Sequence, residues 1–195
     1  MAKEKAQLKV KKKIWFPIVA TSHFNNVEVG ETFIAQPSAL IGRNVSYNLG
    51  LLMNDSKSQN VKVTFKIKEI KDNRALTELV KYEIASGSLK RMVHKGKEKI
   101  DDSFKLKSRD GVNVRVKPFI VTKSAANRSI LTALRKKSQE LLADFLKRSD
   151  YEAFFQDIIR FKVQSIMKKE LKKIYPLAQF QIRILEKLAS QNTHS

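Results

Sequence analysis

The chain has 195 residues, 42% of them hydrophobic, and carries 39 Lys and Arg against 19 Asp and Glu, a formal net charge of +20. That is enough apolar material for one large domain or two small subdomains around a core, and it excludes global disorder. With no cysteine, disulfides, thiolate catalysis and cysteine-built zinc or iron–sulfur sites are excluded too.

A charge excess of this size repels itself in the compact state, and a polyanionic partner is the usual compensation. No apolar run reaches the roughly 20 residues that cross a bilayer. The opening MAKEKAQLKVKKK, followed only by the short IWFPIVA, lacks a secretory pattern, so a cytoplasmic location is expected.

Residues 1–13 hold six lysines and one glutamate, a basic arm that a partner would order. Trp15 and Phe16 follow it, and each can either stack on a base or bury in a core. From Val27 to about Ile84 the chain reads as strands. Short ones are expected over Glu31–Ala35 and Arg43–Leu49, punctuated by Gly30, Pro37 and Gly42. A clearer one covers Val61–Lys68, where Val61, Val63, Phe65 and Ile67 alternate with Lys62, Lys66 and Lys68 as a half-buried strand requires. Asp72 and Asn73 tolerate left-handed backbone angles and should turn the chain. The partner strand then returns over Ala75–Ile84.

Ser86-Gly87-Ser88 opens a short helix over Leu89–His94, closing near Gly96. A second hairpin pairs Ile100–Lys107 with Val112–Thr122 around Asp110-Gly111. Pro118 lacks a backbone donor, which points to an edge position or a bulge. Lys123–Lys137 carries five cations and no acid: a break at Ser124–Asn127 leads into a basic helix. Ile130, Leu131, Leu134, Leu141, Leu142, Phe145 and Leu146 form its buried stripe, with Arg135, Lys136 and Lys137 outside it. Ser149 and Glu152 have the form of a capping box starting a second helix, which buries Phe154, Phe155, Ile158, Ile159, Val163, Ile166 and Met167. The lysines of Lys168–Lys173 suit either the negative pole of that helix or a binding role. Pro176 stops it, and a strand follows in which Ala178, Phe180, Ile182 and Ile184 alternate with polar residues.

The phosphate-cradling G-x-x-x-x-G-K-[ST] and G-x-G-x-x-G motifs are absent, and so is the nucleophile-bearing G-x-S-x-G. His23, His94 and His194 have no second His at ligand spacing. Asp101-Asp102 is the only acid pair that could hold a metal for nuclease chemistry, but nothing is placed to complete the site, and solvated loop acids are the simpler reading. No enzyme activity, cofactor or metal is expected. The helices are occupied by packing, which leaves no amphipathic face for a membrane. Scattered cations with a basic arm suit a large folded RNA, recognised by shape and backbone. A free basic RNA- or DNA-binding protein is the alternative, because phosphate attraction is indifferent to the sugar.

The run KSRDGVNVRVKPFIVTK, Lys107 to Lys123, resembles a hairpin of the archaeal and eukaryotic small-subunit ribosomal protein family known as S-one-e or S-three-A-e. So do Lys172-Lys173-Ile174-Tyr175-Pro176-Leu177 with Gln181-Ile182-Arg183 after it, Leu40-x-Gly42-Arg43 and Leu49-x-x-Leu52-x-Asn54-Asp55. Ile14-Trp15-Phe16 after a lysine cluster resembles the family's opening. These stand in family order from about Lys13 to Leu188, and the likeness is to the shorter, archaeal form. The chain departs from the family pattern over Lys81–Ser88 and at Ala125-Ala126, where members often carry more Lys or Arg. The resemblance implies a structural protein on the platform of the small subunit near the messenger exit, bound to small-subunit ribosomal RNA and neighbouring small-subunit ribosomal proteins. No membrane contact and no homo-oligomer are expected.

The fold expected is α+β: an antiparallel or mixed, β-barrel-like sheet with two long helices packed on it. The arm spans 1–13, a single RNA-binding domain 14–188 (two subdomains possible, with a boundary near 85–100), and a loose tail 189–195. The RNA-contacting residues expected are Lys11, Lys12, Lys13, Arg43, Lys123, Arg128, Arg135, Lys136 and Lys137.

Overall fold

A computed structural model of the chain describes residues 13–24 and 26–188. They form two compact units, one from the residues up to Tyr47 with Phe65–Leu79, the other from Asn48–Thr64 with the residues from Val80 onward. Strands β1 (Ile14–Val19) and β2 (Glu28–Ile34) pair antiparallel in the first unit, with Trp15 opposite Phe33. Two further strands, β3 (Asn44–Asn48) and β4 (Val61–Lys71), pair with each other. β5 (Arg74–Ile84) begins parallel to β1, with Ile18 beside Ala75. The alternation read in the sequence is what the fold uses: Val61, Val63, Phe65 and Ile67 are buried, and Lys62, Lys66 and Lys68 are exposed. Asp72 and Asn73 both take positive φ and join β4 to β5 as a tight turn. Phe24 meets Phe65 edge to face in this unit's core, centroids 5.6 Å apart. Phe16 is buried and Trp15 is not.

The second unit opens with a short helix, α1 (Leu49–Met53), capped by the Asn48 side chain, which accepts from the Gly50 amide at 2.8 Å. Its sheet runs from the later half of β5 to β9 (Leu177–Lys187), then to β8 (Asn113–Thr122), then to β6 (Lys99–Asp101) and β7 (Phe104–Lys107), antiparallel throughout. β8 is therefore central. Pro118 sits in it at a register shift against β9, so the missing donor is accommodated by a bulge and not by an edge. Helix α2 (Ser86–Met92) lies between β5 and β6 in the chain. The Asp110-Gly111 turn forms as read, with Gly111 at φ 81° and the Gly111 amide donating to Ser108 O at 3.0 Å.

The architecture is α+β, with a mixed, mostly antiparallel sheet. It stays open and does not close into the barrel-like form expected, since β2 and β6 end its main strand path. The two long helices expected are not both continuous. One is long, α3 (Arg128–Arg148), and buries Leu134, Ser138, Leu142 and Leu146 at a four-residue spacing. The other is broken into α4 (Tyr151–Ile159) and α5 (Lys162–Leu171) at Phe161, whose φ is 56°. The break frees the Ile158 carbonyl, and it is satisfied by the Phe161 amide at 3.0 Å and by buried Gln164 Nε2 at 2.9 Å. Ile166, read as core, is exposed. The Ser149–Glu152 box does not form: Ser149 ends α3, and the residue before α4 is Asp150, whose carboxylate takes a two-pronged bond from Arg109 at 3.1 Å. The first amide of α4, on Tyr151, is met instead by Asp110 Oδ2 at 3.3 Å.

Candidate nucleic-acid interface

The basic segment after β8 is built from a fully buried threonine outward. Thr122 Oγ1 accepts from the Glu98 amide at 2.8 Å and donates to Ser124 O at 2.7 Å, which turns the chain out of the sheet. Helix α3 starts only at Arg128, so Lys123–Asn127 is a bend and not the first turn of a helix. That bend is fastened to the segment between α5 and β9. The Lys123 amide donates to Pro176 O at 3.0 Å. The Tyr175 hydroxyl lies 2.9 Å from Ser124 Oγ and donates to Ala125 O at 2.7 Å. Two stretches 50 residues apart, each singled out separately in the sequence, are one substructure.

This arrangement gathers positive charge. Lys123, Arg128 and Lys136 are exposed, and among the described residues no acid is paired with them. Arg128 and Arg135 stand seven residues apart, about 20° from the same helical line. Lys137 pairs with Glu140 at 3.1 Å, and Lys173 of the α5 end pairs with Glu170 at 2.8 Å. The Glu170 carboxyl is held below its usual range first by the hydrogen bond from Lys173, against the opposing effect of burial, and further by the charges of Lys173, Lys169 and Lys137. Helices α3 and α5 also pack against each other, and the charge of Lys137 on α3 reaches this carboxylate at the end of α5. Lys168 is otherwise engaged: its ammonium donates to Ala178 O at 2.7 Å and caps backbone. Exposed ion pairs of this kind are weak in water, so the lysines stay available to a stronger anion.

Arg135 is less free than its neighbours, because its guanidinium lies 3.4 Å from Asp102 Oδ1. Asp101 is bonded to Arg183. The two acids read as solvated loop carboxylates are therefore split between two arginines, Asp101 on β6 and Asp102 largely buried. Among the described residues no group of three or more His, Asp or Glu could hold a metal ion, and no helix is long and apolar enough to cross a membrane. Arg43 and Lys13 belong to the other unit. Arg43 is exposed beside backbone bonds to Ile67, and Lys13 places its ammonium 5.7 Å above the Phe33 ring. Lys11 and Lys12 lie outside the described residues.

The brace that Tyr175 supplies was not read from the sequence, while Lys169, Lys172 and Lys173 were left there between a helix-dipole role and a binding role. The signal present was the Lys172–Leu177 run, which carries a tyrosine next to lysines and a helix-stopping proline.

An α+β fold with an exposed cationic surface next to a hydrogen-bonded bend, and with Asp101 and Asp102 each bonded to an arginine, defines a basic α+β protein. The whole stretch 1–190 matches the model of the ribosomal S3Ae family. The chain is 36% identical to the small ribosomal subunit protein eS1 of Nanoarchaeum equitans, over 94% of this chain and 92% of that one. Proteins of the same description in Halorubrum lacusprofundi (31% identity; 89% and 80% covered) and Methanothrix thermoacetophila (30%; 96% and 89%) are similar over comparable lengths. The chain belongs to the ribosomal S3Ae family, in its archaeal-length form. It is a structural ribosomal protein and works in the cytoplasmic ribosome.

Proposed function

We propose that the chain is a structural component of the small ribosomal subunit that binds its ribosomal RNA on the platform near the messenger exit. Neighbouring small-subunit ribosomal proteins are its further partners. The observation that carries this reading is the bracing of the Lys123–Asn127 bend by Tyr175, which gathers the cations of α3 and of the α5 end. Lys123, Arg128, Lys136 and Lys137 contact phosphates there, joined by Lys169, Lys172 and Lys173. Arg135 takes part by exchanging Asp102 for phosphate. Lys13 and Arg43, with Lys11 and Lys12 of the arm, add contacts of their own. A surface of exposed cations on the bend, α3 and the end of α5 fits recognition of RNA by backbone and shape.

The test is binding of the purified chain to small-subunit ribosomal RNA across a series of salt concentrations, beside random duplex DNA of matched length. Tighter binding to the ribosomal RNA, together with co-sedimentation with small subunits from a lysate, is the expected result. Equal affinity for both nucleic acids, with the protein wholly free of ribosomes, would overturn the proposal in favour of a free basic nucleic-acid-binding protein.

A further inference from the structure

In the first unit, β1 is exposed at its start, where Ile14 and Trp15 are both open to solvent, and buried toward its end. Phe16 and Ile18 are each 3% exposed, whereas Trp15, immediately before Phe16 and 57% exposed, stands on the opposite face. Its cross-strand partner Phe33 is 49% exposed. The two rings lie 4.8 Å apart at 33°, and Lys13 sets its ammonium 5.7 Å from the Phe33 centroid. Two rigid aromatic rings on a hydrogen-bonded ribbon, left open to solvent, contribute little to the core. They do present π-surface at low entropic cost, because paired strands hold them in place.

We propose that Trp15 and Phe33, with Lys13 at their side, form a stacking platform for an unpaired base of a single-stranded RNA segment. The proposal rests on the reading that the chain's partner is RNA. Lys13 already engages one aromatic ring, so the indole offers the larger open surface to a base, and the ammonium is positioned to meet the phosphate beside it. Aromatic stacking with a cation at the edge is how single strands are held without sequence readout. The charge of the neighbourhood favours nucleic acid over a protein partner: Lys11 and Lys12 immediately precede Lys13 in the sequence. On the same face of the ribbon the acid is Glu31, opposite Pro17 and two residues from Phe33.

Trp15 is the only tryptophan in the chain, so its emission reports this platform alone. The experiment titrates the full-length protein with oligouridine and oligoadenosine 12-mers and with an abasic strand of equal length. Trp15 fluorescence and the anisotropy of a labelled strand are followed together. Base-bearing strands should quench Trp15, and the abasic strand should bind more weakly with little quenching. Trp15→Ala or Phe33→Ala should weaken base-bearing strands by roughly 5- to 150-fold, the range of one base–aromatic stack. Trp15→Phe should retain most of the affinity, and neither change should alter binding of the abasic strand. If strands bind with unchanged Trp15 emission, or if Trp15→Ala binds them as wild type does, the platform is refuted while the RNA reading stands. Quenching by purified ribosomal proteins and not by the strands refutes it in favour of a protein-docking patch. Loss of binding to folded ribosomal RNA as well would sink both readings together.

Discussion

Replacing Tyr175 by phenylalanine removes a single oxygen and keeps the ring. That oxygen bridges Ser124 Oγ and the Ala125 carbonyl, at 2.9 and 2.7 Å. A typical hydrogen bond contributes about 0.5–1.5 kcal/mol net. Both of these lie at an exposed position where water replaces the lost partner, which places the sum near the lower end, about 1 kcal/mol. The loss is local, because Thr122 and the Lys123 amide still anchor the start of the bend. Amide exchange over 124–127 should therefore quicken by about fivefold, with little change in global unfolding. Binding to ribosomal RNA should weaken by a similar factor, since the bend must then be ordered on association. No cation is removed, so the slope of log affinity against log salt should stay constant. An unchanged affinity with faster exchange would show that the bend does not need to be fixed for binding. A changed slope would show that Tyr175 does something other than brace it.

Four further outcomes are expected. The triple change Lys123→Gln, Arg128→Gln, Lys136→Gln should reduce the steepness of the salt dependence by about 2.1–2.7, at about 0.7–0.9 for each phosphate contact; an unchanged slope would mean that these side chains face elsewhere. Gly50→Ala should destabilise the protein by about 1–3 kcal/mol in urea unfolding, because the new Cβ would stand 2.9 Å from the Gln59 backbone; a wild-type midpoint would contradict this. Tyr82 is buried and its hydroxyl has no partner among the described residues, and burial pushes its ionisation far up. Tyr82→Phe should therefore melt at the wild-type temperature or above, and a large drop would reveal a hidden partner. Asp110 is pushed up by desolvation, but the bonds from Ser108 Oγ and from the Tyr151, Asp110 and Val112 amides outweigh it and leave its carboxyl below the ordinary 3.8. A lowered folded value means that its stabilisation is present above about pH 4 and is lost as the pH falls below that. The deficit of Asp110→Asn against wild type in thermal melts should accordingly shrink between pH 6 and pH 3, and a constant deficit would exclude the linkage.

Strands were the most legible part of the chain, for a physical reason. In β4 one face is buried and the other is wet, so the hydrophobic pattern itself sets the register, and Asp72-Asn73 supplies the left-handed pair that its turn needs. The break between α4 and α5 was hidden by the same kind of pattern. Ile159, Val163, Met167 and Leu171 continue at a four-residue spacing straight through it, and an aromatic residue at positive φ carries no punctuation that a glycine or proline would. Its compensation, the Gln164 side chain on the Ile158 carbonyl, is a tertiary fact. The capping box at Ser149 failed likewise, because the Ser149 amide that Glu152 would have to meet still donates to the Phe145 carbonyl as the end of α3. Of the candidate interface, the cations on α3 were legible as residues outside an apolar stripe. What no spacing could reveal was that Arg135 leans on Asp102 and that the α5 end shares a surface with α3, since both depend on contacts between elements distant in the chain.

The most direct test is RNA–protein cross-linking on intact small subunits, with the peptide and the nucleotide both identified. Peptides spanning 123–137 and 169–173 should carry small-subunit ribosomal RNA nucleotides, and the triple change at Lys123, Arg128 and Lys136 should strip the cross-links from the first of them. Cross-links confined to other faces of the protein, with both of those peptides bare, would contradict the assignment of this surface to RNA.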